Sequence, residues 1–181
     1  MFMPMIRKRR SIRHFEDKPV EEEKIDRLIE AALRPPSSMG KMPWSFIVVK
    51  DRGLLEKLST AKIHGASFLK NAGLGILVCA DPEISDVWIE DAAIASTFIF
   101  LAAESMDLGA CWIQFRKRNH REGITSEQFI IDLMDLPERL RVLSIIAVGY
   151  PGEIKLPHEK ESLKYDRVYL DRFGNPYHRT S

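Results

Sequence analysis

Five positive charges fall within seven residues near the start of the chain, Arg7, Lys8, Arg9, Arg10 and Arg13, with Ser11 set among them and no acid before Glu16. Guanidinium groups hold a phosphate dianion through forked, charge-assisted hydrogen bonds, and a neighbouring hydroxyl with backbone N–H groups completes such a grip. The same run also reads as a solvated basic arm or as a nucleic-acid address. Net charge argues against the last reading. The 27 basic and 26 acidic side chains cancel to +1, where a protein that wraps nucleic acid carries a basic excess or stripe.

The other motifs that would carry chemistry are missing. No GxGxxG follows a strand and opens a helix; Gly73 and Gly75 stand inside a strand-like stretch and Gly109 closes a helix. There is no P-loop, HExxH or GxSxG. His14, His64, His120, His158 and His178 stand far apart in dissimilar contexts. Cys79 and Cys111 each lie in an apolar run without a second Cys or a His at metal-ligand spacing, so no metal is expected and both read as reduced, buried thiols. A chain without a nucleophile or general-base motif that is nevertheless an enzyme needs a cofactor to do the chemistry.

The elements that must position these residues are legible from hydrophobic period. Val20 to Leu33 places Ile25, Leu28, Ile29 and Ala32 at i, i+3, i+4 and i+7, with Glu21, Glu22 and Glu23 at its start, and predicts an amphipathic helix stopped by Pro35 and Pro36. Ser37 to Pro43 is a turn-rich loop of the kind that holds ligands. Trp44 to Lys50, Leu74 to Ala80, Ala110 to Phe115 and Val142 to Val148 read as buried strands, and Arg52 to Ser59 as a short helix. Thr125 followed by Gln128 resembles a capping box opening another helix. Trp88 to Met106 is apolar on nearly every face, and such a helix must be covered on all sides by a sheet, other helices or another subunit.

Alternating strands and helices predict one α/β or α+β layered domain over residues 1–181, a size that supports a single core. Hydrophobic residues at 45% and charged residues at 29% are globular proportions. From Gly152 onward apolar residues are few, so the tail is expected to lie along a surface. The longest charge-free apolar run, Ala92 to Ala103, is too short to span a bilayer. MFMPMIRKRR has its charges after its apolar residues, the reverse of a signal peptide, and a cytoplasmic location without membrane attachment is expected.

Four segments then resemble one family. RRSIRHF at Arg9 to Phe15, PPSSMGKMPWSFIVV at Pro35 to Val49, DAAIASTFIFLAAESMDLGACWIQ at Asp91 to Gln114, and VGYPGE at Val148 to Glu153 stand in the order seen in FMN-dependent nitroreductases, over most of the chain. The resemblance implies an α+β sandwich, a mixed central sheet flanked by helices, assembled as an intertwined homodimer with FMN at the subunit interface. In it, residues 154–181 form an extended tail packing on the partner subunit.

By the same resemblance Arg9, Arg10, Ser11 and Arg13 grip the FMN phosphate and ribityl chain. Ser37, Ser38 and Gly40 match the loop that approaches the flavin from the other subunit, although many members carry an Asn and a Gln where this chain has Gly40 and Met42. Trp112, Ile113 and Gln114 match the stretch along one edge of the isoalloxazine, with the Gln114 N–H toward flavin N5. Lys160 is the candidate tail residue for the phosphate, with Lys155 behind it. The implied activity is hydride transfer from NADH or NADPH through the flavin to a small organic acceptor, a nitroaromatic or quinone, by a ping-pong mechanism. A dehalogenase-like enzyme on the same fold and a non-enzymatic FMN-binding or interaction module are the alternatives. For the basic run Arg116, Lys117, Arg118 and Arg121 the readings are a solvated loop, contact with the NADPH 2'-phosphate, or nucleic acid.

Overall fold

A computed structural model describes residues 2–177; His178 and the three residues after it lie outside the described residues. The elements in chain order are α1 (Phe2–Lys8), α2 (Glu22–Leu33), β1 (Trp44–Val49), α3 (Arg52–Ser59), β2 (Leu74–Ala80), α4 (Trp88–Ser105), β3 (Gly109–Gln114), β4 (Asn119–Arg121), β5 (Ile124–Thr125), α5 (Ser126–Met134) and β6 (Arg141–Gly149). The basic lead is therefore partly helical. Arg7 and Lys8 occupy the last turn of α1, where cations meet the partial negative charge of the C-terminal carbonyls. Asp51 caps α3 by accepting the Leu54 N–H at 2.8 Å. Thr125 caps α5 by accepting the Gln128 N–H at 3.1 Å, but the Gln128 amide turns away to Asp132, so only half of the expected box forms.

The central sheet has the order β1-β2-β6-β3, and all of its ladders are antiparallel. This corrects the expectation of a mixed sheet. β2 and β3 do run parallel to each other, with α4 as the crossover, but β6 inserts between them and pairs antiparallel with both. The only parallel pairing among the described residues is the single bridge between Ser11 and Ala110.

Each face of the sheet carries a core. Successive residues of a strand point to opposite faces. Ile145 and Ala147 of β6 accordingly join Leu55, Leu58 and Ile130 from α3 and α5, whereas Ile146 and Val148 join Leu28, Ile99 and Ala103 from α2 and α4. All seven residues of β2 are buried. Gly75 is needed there because a Cβ would press on Ile145 Cδ1 at 2.7 Å, so this glycine serves packing and not a dinucleotide. Both cysteines are free and buried.

α4 lies on the sheet through the small residues Ala92, Ala95, Ser96 and Ala103 together with Ile99. Its opposite side stays open: Ile94 and Phe98 are 37% and 38% exposed. Phe98, Leu101 and Ala102 border an apolar groove of about 280 Å³ with Phe2 and Met5 of α1. Among the described residues no helix is long and apolar enough to cross a membrane.

The arm after α1 is sewn to the sheet by backbone hydrogen bonds: Ile12 N–H to Ala110 O, Glu16 N–H to Tyr150 O, and Gly152 N–H to His14 O, each at 2.9 Å. Ile12 and Phe15 bury their side chains in the core as anchors. Gly109 makes room for the arm, since a Cβ there would stand 2.9 Å from Ile12 Cβ. Beyond Gly152 the chain is mostly exposed, with Ile154 and Phe173 almost fully so.

Candidate active site

The arm brings cations to β3, the open edge of the sheet. Arg13 presents its guanidinium over the Phe68 ring at 5.9 Å. Its backbone N–H donates to Glu153 Oε1 at 2.6 Å, and the His14 N–H donates to the same oxygen at 3.1 Å. Lys155 pairs with Glu153 at 3.0 Å and donates to the Ser11 carbonyl, also at 3.0 Å. The Arg13 N–H, followed by Lys155 and the His14 N–H, holds the Glu153 carboxyl below its ordinary pKa against the opposing effect of burial.

Lys62, on the loop after α3, completes the group. Its Nζ lies 3.5 Å from the Gln114 carbonyl. Burial, then Arg118 and Arg13, lower its pKa, and only Cys111 opposes them. Burial pushes the Cys111 thiol up, while Arg13, Lys155 and Lys62 all pull it down. Lys62 at Gln114, and Lys155 and Arg13 gathered on Glu153 beside Ser11, thus line the open edge of β3.

The backbone of β3 offers hydrogen-bonding groups on that side. Along a strand the polar groups of successive residues point alternately to either neighbour. The Phe115 N–H bonds Leu143 O toward β6, whereas the Ala110 carbonyl accepts from Ile12 and the Gln114 carbonyl meets Lys62, both away from β6. Ala110, Trp112 and Gln114 thus share one parity, and the N–H groups of Trp112 and Gln114 face off the edge of the sheet. The Trp112 indole donates to Gln114 Oε1 at 2.9 Å, and the Gln114 amide donates to Arg116 O, fixing both side chains. Ile113 points the other way, into the core.

The remaining sequence candidates are placed elsewhere. Arg9 lies over the Phe100 ring at 5.0 Å and, with Arg7 and Lys160, borders a cavity of about 640 Å³ between α1 and the tail. Arg10 donates to the Leu156 carbonyl. Arg10 and Arg13 thus engage different partners. Lys155 is the tail lysine that hydrogen-bonds the arm, at Ser11 O, while Lys160 faces the cavity that Arg9 borders. Sequence reasoning missed Lys62 and Glu153 as parts of this cluster. VGYPGE marked Glu153 only as a segment end, and nothing local marks Lys62.

Ser37, Ser38 and Gly40 lie on a loop held by the buried Asp91, which accepts the Ser38 N–H and the Ser85 hydroxyl, both at 2.9 Å. Met39, Gly40 and Met42 all have positive φ, 52°, 68° and 47°. This loop enters β1 at Trp44, opposite Ala80, whereas Ser11 meets Ala110, which lies level with Val148 and Leu74. Leu74 and Ala80 are the two ends of β2, about 20 Å apart at roughly 3.3 Å per residue. β1 and β3 are also opposite edges of the sheet. One protomer therefore does not bring the loop and the arm together.

The fold is a sheet flanked by helices on both faces, an α+β sandwich. The solved structure of an FMN-dependent nitroreductase from Clostridium difficile R20291 superposes with a TM-score of 0.93 at 42% identity, over 94% of this chain and 99% of that one. A protein of Archaeoglobus fulgidus that bears the name "Putative NADH dehydrogenase/NAD(P)H nitroreductase" is 35% identical over 94% of this chain and 98% of its own length. An FMN reductase [NAD(P)H] of Bacillus subtilis is 28% identical over 90% of this chain and 72% of its own length. The nitroreductase family profile matches residues 6–73 and 63–150. The chain belongs to the nitroreductase family.

Proposed function

We propose that the chain is an FMN-dependent NAD(P)H oxidoreductase that passes electrons to a small organic acceptor, a nitroaromatic or quinone, as a homodimer with FMN at the subunit interface. The observation that carries this reading is the line of cations along the open edge of β3, Lys62 at the Gln114 carbonyl and Lys155 at the Ser11 carbonyl of the Arg13-bearing arm, beside the outward N–H groups of Trp112 and Gln114. The names of the relatives, an FMN-dependent nitroreductase and an FMN reductase, agree with it.

The residues present fit FMN. Arg13 and Lys155 form a cationic end beside Ser11, suited to a phosphate dianion. The backbone donors of Trp112 and Gln114 suit the ring's acceptor atoms, and Lys62 adds positive charge beside them. When bound, FMN supplies the redox chemistry. The chain's own part is to orient the ring, set the field around it and limit access, and no side chain is assigned as an acid or base.

Two observations support the homodimer. The groove along Phe98, Leu101 and Ala102 is apolar and open, and a second copy would bury it. Ser37, Ser38 and Gly40 stand about 20 Å along the sheet from the arm, so they reach a site at β3 only from a partner.

The test is the absorption spectrum of the purified protein, followed by anaerobic addition of NADH or NADPH. Flavin bands that bleach before any acceptor is added, with parallel steady-state lines for donor and acceptor, are the expected result. A colourless protein that takes up no FMN sinks the reading. Intersecting lines with no bleaching by the donor alone reject the ping-pong order.

A further inference from the structure

Beyond the end of β3 two basic loops are laced together. Lys62 and His64 stand on the loop after α3, and Lys117 and Arg118 on the turn after β3. The Ile63 N–H donates to Asn119 O at 3.1 Å. His120 Nδ1 lies 2.8 Å from Thr60 O, and because a carbonyl only accepts, Nδ1 carries the proton. The His120 ring is further fixed by stacking on Phe129 with centroids 4.0 Å apart. These contacts hold the cations around shared space and do not leave them on independent loops.

Two adjoining cavities result. One of about 360 Å³ is lined by Lys62, His64, Lys117 and Arg118 with Ile63 and Asn119, and the other, of about 440 Å³, lies across the same loop toward His120. No carboxylate lines either. Among the described residues, Lys62, Lys117 and Arg118 form no ion pair. Burial first, and then Arg118 and Arg13, disfavour the charge on Lys62, and an arriving anion would offset the contribution of the two arginines.

We propose that this recess binds the 2'-phosphate of NADPH and makes NADPH the preferred electron donor over NADH. The inference rests on the oxidoreductase reading above for its consequence in turnover. The cavities are of nucleotide-binding size, and an acid-free wall of Lys and Arg is matched to a dianion. Lys62 touches both the recess and the Gln114 carbonyl, so the recess adjoins the strand edge assigned to the flavin. NADH differs from NADPH only in lacking the group that these cations would meet.

Calorimetry with adenosine 2',5'-bisphosphate and with 5'-AMP tests the site whatever the flavin content of the protein. The bisphosphate is expected to bind at least about tenfold more tightly. Arg118→Gln should cost roughly tenfold in bisphosphate affinity and leave 5'-AMP unchanged. Lys117→Asn is the second variant, because φ at Lys117 is 57° and Asn tolerates that region, so the turn is kept. In turnover both variants should raise KM for NADPH by about the same factor and leave KM for NADH and kcat in place. Equal affinity for the two nucleotides, or losses shared by both, overturns the proposal. A colourless protein that still prefers the bisphosphate overturns the flavin reading and upholds this site.

Discussion

Lys62 reaches across the open edge of β3 to the carbonyl of Gln114, Nζ to O 3.5 Å, joining a loop after α3 to the strand edge that carries the outward backbone donors. Its burial and its cationic neighbours Arg118 and Arg13 lower its pKa, so it is an unfavourable charge in the folded protein without ligand. A charge held under these conditions is what the proposed flavin site would require of Lys62.

Lys62→Met should therefore raise the Tm of the ligand-free protein at pH 7, since it removes a charge that burial and cationic neighbours disfavour. The sign with pH follows from the lowered pKa. The folded state sheds this proton before the unfolded state does, so wild-type stability at this site rises as pH climbs toward the ordinary value of 10.5. The gap between variant and wild type should narrow over that interval in paired thermal melts. A gap that is constant with pH refutes Lys62 as its source.

Arg13→Ala should weaken FMN binding by roughly 10- to 100-fold, from the loss of about 1.5–3 kcal/mol in a charge-assisted contact. Riboflavin lacks the phosphate and should lose much less, as flavin fluorescence titrations would read. Equal losses for both ligands mean damage to the arm and not a missing phosphate contact.

Gly109→Ala should act on the same site from behind. The new Cβ meets Ile12 Cβ, an atom that cannot swing aside, so the arm itself must shift. Overpacking of this kind costs about 1–3 kcal/mol. Urea unfolding should show that loss, together with a fall in FMN affinity. An unchanged FMN affinity would separate the arm's position from the site.

Phe98→Asp places a charge in the apolar groove beside α1. Sedimentation should find the wild type as a dimer at micromolar concentration and the variant shifted toward monomer, with weaker FMN binding at low protein concentration. A wild-type monomer that binds FMN fully would refute the interface.

Apart from the short β4–β5 hairpin, whose three and two residues carry no period, the order of elements from α2 to β6 was legible because each has its own pattern or cap: the i, i+3, i+4 stripe of α2, the unbroken apolar run of β2, the Thr125 cap of α5. α1 escaped notice because seven residues hold too few repeats to set it apart from a basic lead. The insertion of β6 between β2 and β3 was invisible, since nothing local tells a strand which neighbours it will have. The density of Arg in the arm was legible as a cluster of cations, the basis of the proposed phosphate grip. Glu153 and Lys62 were not, because their meaning comes from contacts with Arg13 and Gln114, 140 and 52 positions away.

The place of β6 also bears on how the chain is made. It is the last strand of the sheet in sequence and a central one in space, the antiparallel partner of both β2 and β3. At about 5–20 residues per second, roughly 3–14 s separate the synthesis of Ala80 from that of Gly149. During that interval the wholly apolar β2 has one edge unpaired, and β3 lacks the one ladder partner it has among the described residues. Until β6 emerges, α4 lying across β2 is the cover the fold itself offers, and a chain stopped before Arg141 is expected to aggregate and not to form a smaller working domain.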